Sequence, residues 1–181
     1  MEAGKQGRAA RQRGATLIEM MAAIGVIAIL GAVAIPSFSS LRRSALRTTI
    51  VNDFIHSVHL ARSEAIKRNA VISICRSSDG ATCANGLPDW NVGWIVFENR
   101  DRDQPADTDP GEPVLYRRDA LAGGTLTSNR RAFSFRPYNQ GDVNGTLIYC
   151  AGPKEGRAII ISHTGRPRTS DRDANGKPVK C

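Results

Sequence analysis

RGATLIEMMAAIGVIAILGAVAIP, residues 13–36, is the stretch that decides the fold of this chain. From Ala15 to Ile35 the run carries one charge, on Glu19, and Pro36 closes it. At about 1.5 Å per residue, a helix of this length spans roughly 30 Å, the hydrocarbon thickness of a bilayer. Because an ionised carboxylate is unfavourable inside such a helix, Glu19 is expected to have a partner and a function.

A basic leader that ends in Gly, followed by TLIE and an apolar helix, resembles the amino-terminal segment of type IV pilins and type II secretion pseudopilins. The resemblance implies that prepilin peptidase cleaves after Gly14 and methylates the new terminus, Ala15, where the family usually has Phe or Met. It also implies that Glu19 pairs with the terminal amine of a neighbouring subunit. A secretory signal would have a shorter apolar run without an acid. A plain membrane anchor, with the basic leader inside, is the alternative.

This interpretation predicts three regions in the chain. Residues 1–14 are the leader, residues 15–36 a transmembrane or filament-core helix, and residues 37–181 a periplasmic pilin-like domain in which the helix continues to about residue 68. The continuation is indicated by an apolar stripe at spacings of three and four. The stripe consists of Val51, Phe54, Ile55, Val58, Ala61 and Ala65.

Beyond Asn69 the apolar residues recur with the period of two that is typical of strands. Six short strands are predicted, at 70–75, 93–98, 113–117, 132–136, 146–150 and 157–162. One long helix followed by several strands predicts an α+β domain with an antiparallel sheet against the helix, the architecture of the pilin-like fold. ARSEAIKRN (61–69) and the segment of Trp90 and GWIVFEN are similar to the FimT/GspH branch of minor pilins and pseudopilins.

The four cysteines, Cys75, Cys83, Cys150 and Cys181, all follow the apolar helix. An even number in an exported domain favours disulfides, and no two are spaced as zinc ligands usually are. Three pairings are compatible with the sequence. The simplest joins Cys75 to Cys83 and Cys150 to Cys181.

Catalysis is not indicated by any motif. His56 and His59 lie three residues apart, a possible metal pair on a helix, but a solvated or filament-packed face is the favoured interpretation. No nucleophile–base set, phosphate-binding glycine loop or zinc-protease motif is present. We therefore expect no enzyme activity, no cofactor and no metal site.

Residues 98–112 contain six acidic residues and two arginines. Asp101, Asp103, Asp107 and Asp109 alternate in a way that would suit calcium, but the spacing does not fit an EF-hand. A solvated acidic loop is the preferred interpretation. Its negative charge makes it an unfavourable surface for nucleic acid.

The carboxy-terminal region is the basic counterpart, with seven basic and three acidic residues between Cys150 and Cys181. It contains SHTGRPRT, residues 162–169. If this stretch is extended, Arg166 and Arg168 point to the same side, about 6–7 Å apart, like successive phosphates of one DNA strand. Gly165 permits an unusual backbone angle, and Pro167 restricts the chain between the arginines.

Gly165, Arg166 and Arg168 match a Gly-Arg-x-Arg motif that resembles the one near the end of FimT-type minor pilins, where it is associated with DNA capture. The remaining candidate residues come from neighbourhood and charge: Arg157, Arg172, Lys177 and Lys180. The sequence thus predicts a minor type IV pilin that binds DNA for natural transformation, with low sequence specificity and, because aromatic residues near the motif are few, little preference for single strands. The alternatives are a type II secretion pseudopilin and a minor pilin that primes pilus assembly without binding DNA.

Overall fold

The computed structural model describes residues 16–84, 86, 89–139, 143–153 and 155–181, and for 33–37 and 139 it describes the backbone alone. Gly14 and Ala15, the predicted cleavage and methylation positions, lie outside the described residues. The chain divides into two compact units, Met1–Leu41 and Arg42–Cys181. The second unit contains every residue of the hydrophobic core.

Helix α1 (Leu17–Arg68) is one element of 52 residues, and its end agrees with the predicted boundary near residue 68. Its first half exposes large apolar side chains such as Leu17, Ile24 and Leu30. In its second half the predicted stripe is buried, with Ile55 half-buried at its margin. Within the described part of the chain, no helix combines the length and the hydropathy that crossing a membrane requires.

The carboxyl end of α1 is closed by backbone hydrogen bonds from Asn69 and Ala70. Asn69 has a φ of 51°, a left-handed conformation that Asn tolerates better than most residues. Its N–H donates to the carbonyl of Ile66, and the Ala70 N–H donates to the carbonyl of Ala65. This pair of hydrogen bonds is a Schellman motif, and it turns the chain from the helix into the first strand.

Eight strands follow: β1 (Ile72–Arg76), β2 (Trp94–Glu98), β3 (Val114–Arg118), β4 (Thr125–Ser128), β5 (Ala132–Phe135), β6 (Gly145–Cys150), β7 (Gly156–Ile161) and β8 (Pro167–Ser170). They form two antiparallel four-stranded sheets with the orders β3-β2-β1-β5 and β4-β6-β7-β8. The α+β class with one long helix and antiparallel strands is confirmed, and the one expected sheet is divided into two.

Two strands escaped the sequence analysis for physical reasons. β4 is half polar and buries only Leu126, so its apolar periodicity is faint. β8 begins with Pro167 and carries Arg168, residues that are rare in central strands but acceptable at an edge. β8 does form the outer edge of its sheet.

The core lies between α1 and the inner faces of both sheets. Phe54 is at its centre and makes edge-to-face contacts with Trp90, Trp94 and Phe133 at ring-centroid distances of 5.5, 5.3 and 6.0 Å. Such contacts add roughly 0.5–1.5 kcal/mol each to the burial of the rings. The second sheet contributes a further set of buried side chains: Leu126, Leu147, Tyr149, Ile159 and Ile161.

Both disulfides join the residues of the simplest predicted pairing, Cys75 with Cys83 and Cys150 with Cys181. The first closes a short loop after β1. The second ties the last residue of the chain to the end of β6, so the tail after β8 returns to the second sheet.

Candidate nucleic-acid interface

The β7–β8 hairpin holds the predicted motif in a loop that is closed by hydrogen bonds to Ser162. The carbonyl of Ser162 accepts the N–H of Gly165 at 2.8 Å, and its own N–H donates to the carbonyl of Arg166 at 3.1 Å. The Ser162 hydroxyl accepts the Arg166 N–H at 3.1 Å and lies 2.9 Å from the Thr164 hydroxyl. Because Arg166 is bonded through both backbone groups, little backbone entropy remains for a ligand to remove.

Gly165 is the residue that this loop requires. Its φ is 67°, and it is buried. A β-carbon at this position would lie 3.3 Å from two ring carbons of Phe135 and 3.6 Å from Cδ of Arg62. Glycine therefore satisfies both the left-handed backbone and the close approach of the hairpin to β5 and α1.

Arg166 and Arg168 are exposed, whereas Pro167 between them is half-buried. This alternation of exposure is the one expected of an extended chain in which both arginines lie on one side of the hairpin. Arg168 lies opposite Ile160 in the β7–β8 register, on the face of the sheet that points away from α1. Neither side chain has a hydrogen bond or an ion pair with any residue that the structure describes, so both charges are available to an anion.

Arg157 is not brought together with this pair. In the β6–β7 register it lies opposite Tyr149, whose side chain is in the core, so Arg157 points to the other face from Arg168. There it lines a groove with Arg47 and Thr169. Its Nη1 forms an ion pair with the carboxylate of Asp171, which offsets its charge.

The tail after β8 is an ordered turn. The Asp173 carboxylate accepts the N–H groups of Asn175 and Lys177, each at 2.9 Å, and Arg172 donates through Nη1 to the carbonyl of Gly176 at 2.8 Å. The end of the tail covers β7, since a β-carbon at Gly156 would fall 2.4 Å from Val179 and 2.7 Å from Sγ of Cys181.

The predicted residues of the tail keep their charges accessible. Arg172, Lys177 and Lys180 are exposed on this turn. They belong to the same outer side of the second sheet as Arg168, because the tail crosses that side. Lys154, at the β6–β7 turn, lies outside the described residues.

Two arginines near the hairpin were missed by the sequence analysis. Arg62 on α1 reaches Gly165 through its aliphatic stem, and Arg136 directly follows Phe135, whose ring contacts Gly165. No motif connects these positions, because the contact joins segments that are far apart in the chain. The one available sequence signal was the repetition of Arg-Pro at 136–137 and 166–167.

The carboxylates that come together in the acidic loop, residues 98–112, are not the four alternating aspartates singled out in the sequence. Carboxylate oxygens of Asp101, Asp109 and Glu112 lie within 4.8 Å of one another. Desolvation, and then the neighbouring acids, raise the pKa of Asp109. Asp103 is instead turned inward, where its carboxylate accepts a hydrogen bond from Asn99 at 2.9 Å. Glu112 accepts the N–H groups of Arg100 and Asp109, so part of the cluster serves to fold the loop.

The histidine pair lies on an exposed face of α1. His56 and His59 are both exposed, and the ring of His56 makes an edge-to-face contact with Tyr116 at 5.8 Å. This contact places the ring of His56 beside Tyr116 of β3.

Comparisons with known proteins agree with this architecture. Residues 51–165 match the family of the type II transport protein GspH, and residues 9–35 match the prokaryotic N-terminal methylation motif. The chain is 47% identical over 83 residues to prepilin peptidase-dependent protein D of Escherichia coli (strain K12), a match that covers 43% of this chain and 49% of that protein. The chain thus spans about half the length of this relative.

Two crystal structures of the type IV minor pilin FimU from Pseudomonas aeruginosa (strain PAO1) share the fold, each with a TM-score of 0.52. The sequences are 19% and 20% identical, and the matches cover 71% and 75% of this chain and 98% and 96% of the FimU chains. At this identity the likeness extends to the fold.

Proposed function

This chain belongs to the GspH family, within the type IV pilins and pseudopilins, and on that premise we propose that it is a minor pilin that captures extracellular DNA for natural transformation. The observation that carries the proposal is the pair of exposed arginines, Arg166 and Arg168, on a hairpin that is fixed by hydrogen bonds to Ser162. A secretion piston has no need of such a pair.

The DNA contact is electrostatic. Guanidinium groups bind phosphate oxygens with two parallel hydrogen bonds, and phosphate contacts carry no information about sequence. Arg172, Lys177 and Lys180 extend the basic surface onto the tail. Gly165 supports the loop, whereas Arg157, on the other face and paired with Asp171, contributes little.

A few phosphate contacts per subunit give weak binding. We expect dissociation constants on the order of micromolar, with a steep dependence on salt. Several copies in one filament would bind the same DNA molecule, and the effective concentration of the second site would then raise the overall affinity.

The amino-terminal segment carries the subunit to the cell surface through cleavage, membrane anchoring and assembly into a filament. Prepilin peptidase cleaves after Gly14 and methylates Ala15, and residues 15–36 anchor the subunit in the inner membrane with the domain in the periplasm. In the filament the same helix packs against other pilins, where the carboxylate of Glu19 is neutralised by a neighbour's terminal amine. Glu19 lies in the first turn of α1.

The test is a salt-dependent titration of labelled duplex DNA with the full-length chain in detergent. Arg166→Ala/Arg168→Ala is compared with Arg42→Ala/Arg117→Ala, which removes the same charge from exposed arginines elsewhere. We expect the first variant to lose most of its affinity and to flatten the log–log salt slope by about two, while the control stays close to wild type. Equal affinities of the two variants would contradict the proposal.

The second candidate is a pseudopilin or a minor pilin without a DNA ligand, which the family's link to type II transport favours. Deletion of the gene separates the two. Lost transformation with pili and secretion intact supports DNA capture, whereas lost secretion or lost pili supports a structural role.

A further inference from the structure

Two Arg-Pro segments diverge from one contact in the domain. Arg136-Pro137-Tyr138 follows Phe135, and Arg166-Pro167-Arg168 follows Gly165. The ring of Phe135 lies against Gly165, at 3.3 Å from the position of a β-carbon there. Each arginine is one residue, about 3.8 Å of backbone, beyond this contact. Tyr138 is three residues beyond Phe135, on the segment that leaves this contact, although it is 28 positions from Arg166 in the chain.

Tyr138 is held in an unusual conformation. The residue is 83% exposed, and its backbone is left-handed, with φ 65° and ψ 17°. An aromatic residue in this region is strained, and strain of this kind concentrates at functional positions. Among the described residues of the unit Arg42–Cys181, the large apolar side chains that are exposed are Ile66 and Tyr138. The ring of Tyr138 thus presents itself to solvent without packing on the core.

A cation lies close to Tyr138 in the chain. Arg136, two residues before it, is exposed and has no hydrogen bond or ion pair with a described residue. Some other arginines of the domain do have carboxylate partners, as Arg43 has Glu155 and Arg118 has Asp53. An exposed aromatic ring with an arginine close to it in the chain is a combination that binds single-stranded nucleic acid, in which a phosphate is neutralised and a base stacks on the ring.

In place of the little strand preference expected from the sequence, we propose that Tyr138 is a stacking platform for an unpaired base and that Arg136 binds an adjacent phosphate, so that the surface prefers single-stranded DNA to duplex. The inference rests on the proposed function, because the same strand would continue to Arg166 and Arg168. Phosphate contacts are common to both forms of DNA. A base is available to Tyr138 only in a single strand, since duplex bases stack on one another.

The experiment compares an oligothymidylate of about 20 nucleotides with a duplex of the same length, by fluorescence anisotropy on the full-length chain in detergent. Tyr138→Asn removes the ring and keeps a residue that tolerates the left-handed backbone. Tyr138→Phe keeps the ring, and Ile66→Asn is the matched control for loss of an exposed apolar side chain. We expect Tyr138→Asn to weaken single-strand binding about tenfold and duplex binding less than about twofold, with both controls close to wild type.

The outcomes separate this inference from the function on which it rests. If Arg166→Ala/Arg168→Ala lowers binding of both probes while Tyr138→Asn changes neither, DNA capture stands and the stacking platform is refuted. The platform is also refuted if Tyr138→Asn weakens both probes equally. If the wild-type chain binds neither probe, the proposed function itself is wrong.

Discussion

The indole N–H of Trp94 donates a 2.8 Å hydrogen bond to the hydroxyl of Ser57, and both side chains are fully buried. The Ser57 hydroxyl in turn donates to the carbonyl of Asp53 at 2.9 Å. This polar link connects α1 to β2 in the middle of an otherwise apolar core. The link fixes the position of α1 on the sheet, because rotating or sliding the helix would break the hydrogen bond between Ser57 and Trp94.

Replacing Ser57 by Ala leaves the Trp94 N–H buried without an acceptor. We expect the free energy of unfolding to fall by about 1–3 kcal/mol. Urea denaturation of the domain measures the loss. Ser63→Ala is the matched control, since Ser63 is exposed and its hydroxyl bonds only the carbonyl of Leu60. A Ser57 variant as stable as the Ser63 control would show that the link has no energetic role.

The disulfide of the tail offers a second prediction. Cys150 and Cys181 are 31 positions apart, so their bond restricts a long loop in the unfolded chain. Replacing both by Ser is expected to lower the free energy of unfolding by about 2–4 kcal/mol. It should also expose the tail after Asp171 to proteases. Unchanged stability and unchanged proteolysis would mean that the hydrogen bonds of Asp173 hold the tail without the disulfide.

Asp79 makes stability dependent on acid. The Thr82 hydroxyl, then the N–H groups of Thr82 and Ala81 and the Ser77 hydroxyl, hold the pKa of Asp79 well below its usual range. A pKa lowered by folding gives stability that is present above the unfolded pKa, near 3.8, and is lost as the pH falls further. We therefore expect stability to decline below about pH 4.

Denaturation midpoints between about pH 2 and pH 6 test this dependence. Thr82→Val removes the largest single cause and should weaken the acid dependence while keeping the carboxylate. Asp79→Asn should be less stable than wild type near neutral pH and should converge with it in acid. A wild-type chain with the same pH profile as Asp79→Asn would exclude this role of Asp79.

Some elements of the fold can be recognised from their own residues alone, and others depend on pairing between distant segments. The helical stripe from Val51 to Ala65 was recognisable because its spacing of three and four follows the buried face of α1. Strands β1 and β2 were recognisable as short apolar runs that are buried along nearly their whole length. β4 and β8 are edge strands with one or no fully buried side chain, so their period carries little information. The division into two sheets depends on pairing between distant segments, which a local period does not encode.

The candidate site was predictable in part for the same reason. Gly165, Arg166 and Arg168 are consecutive or nearly so, and an extended strand fixes their relative directions. The position of Arg157 depended on the register of β7, which places it on the opposite face. Arg62 and Phe135 reach Gly165 by tertiary contacts with no sequence signature, and Arg136 and Tyr138 are linked to the motif only as residues that follow Phe135.

Glu19 provides the last prediction, on assembly. It is exposed in the first turn of α1, and the described apolar residues that surround it, such as Ile18 and Met20, are exposed as well. In a packed filament these side chains become buried, so the carboxylate needs a cation to offset its desolvation. Glu19→Ala and Glu19→Gln should both reduce the amount of the protein in sheared pili, since each removes the charge.

The core is built entirely from residues after Leu41, so the circular dichroism and the denaturation midpoint of the domain should stay unchanged. Immunoblots of pili and membranes make the measurement, and normal incorporation of Glu19→Gln would show that the charge of Glu19 is not required.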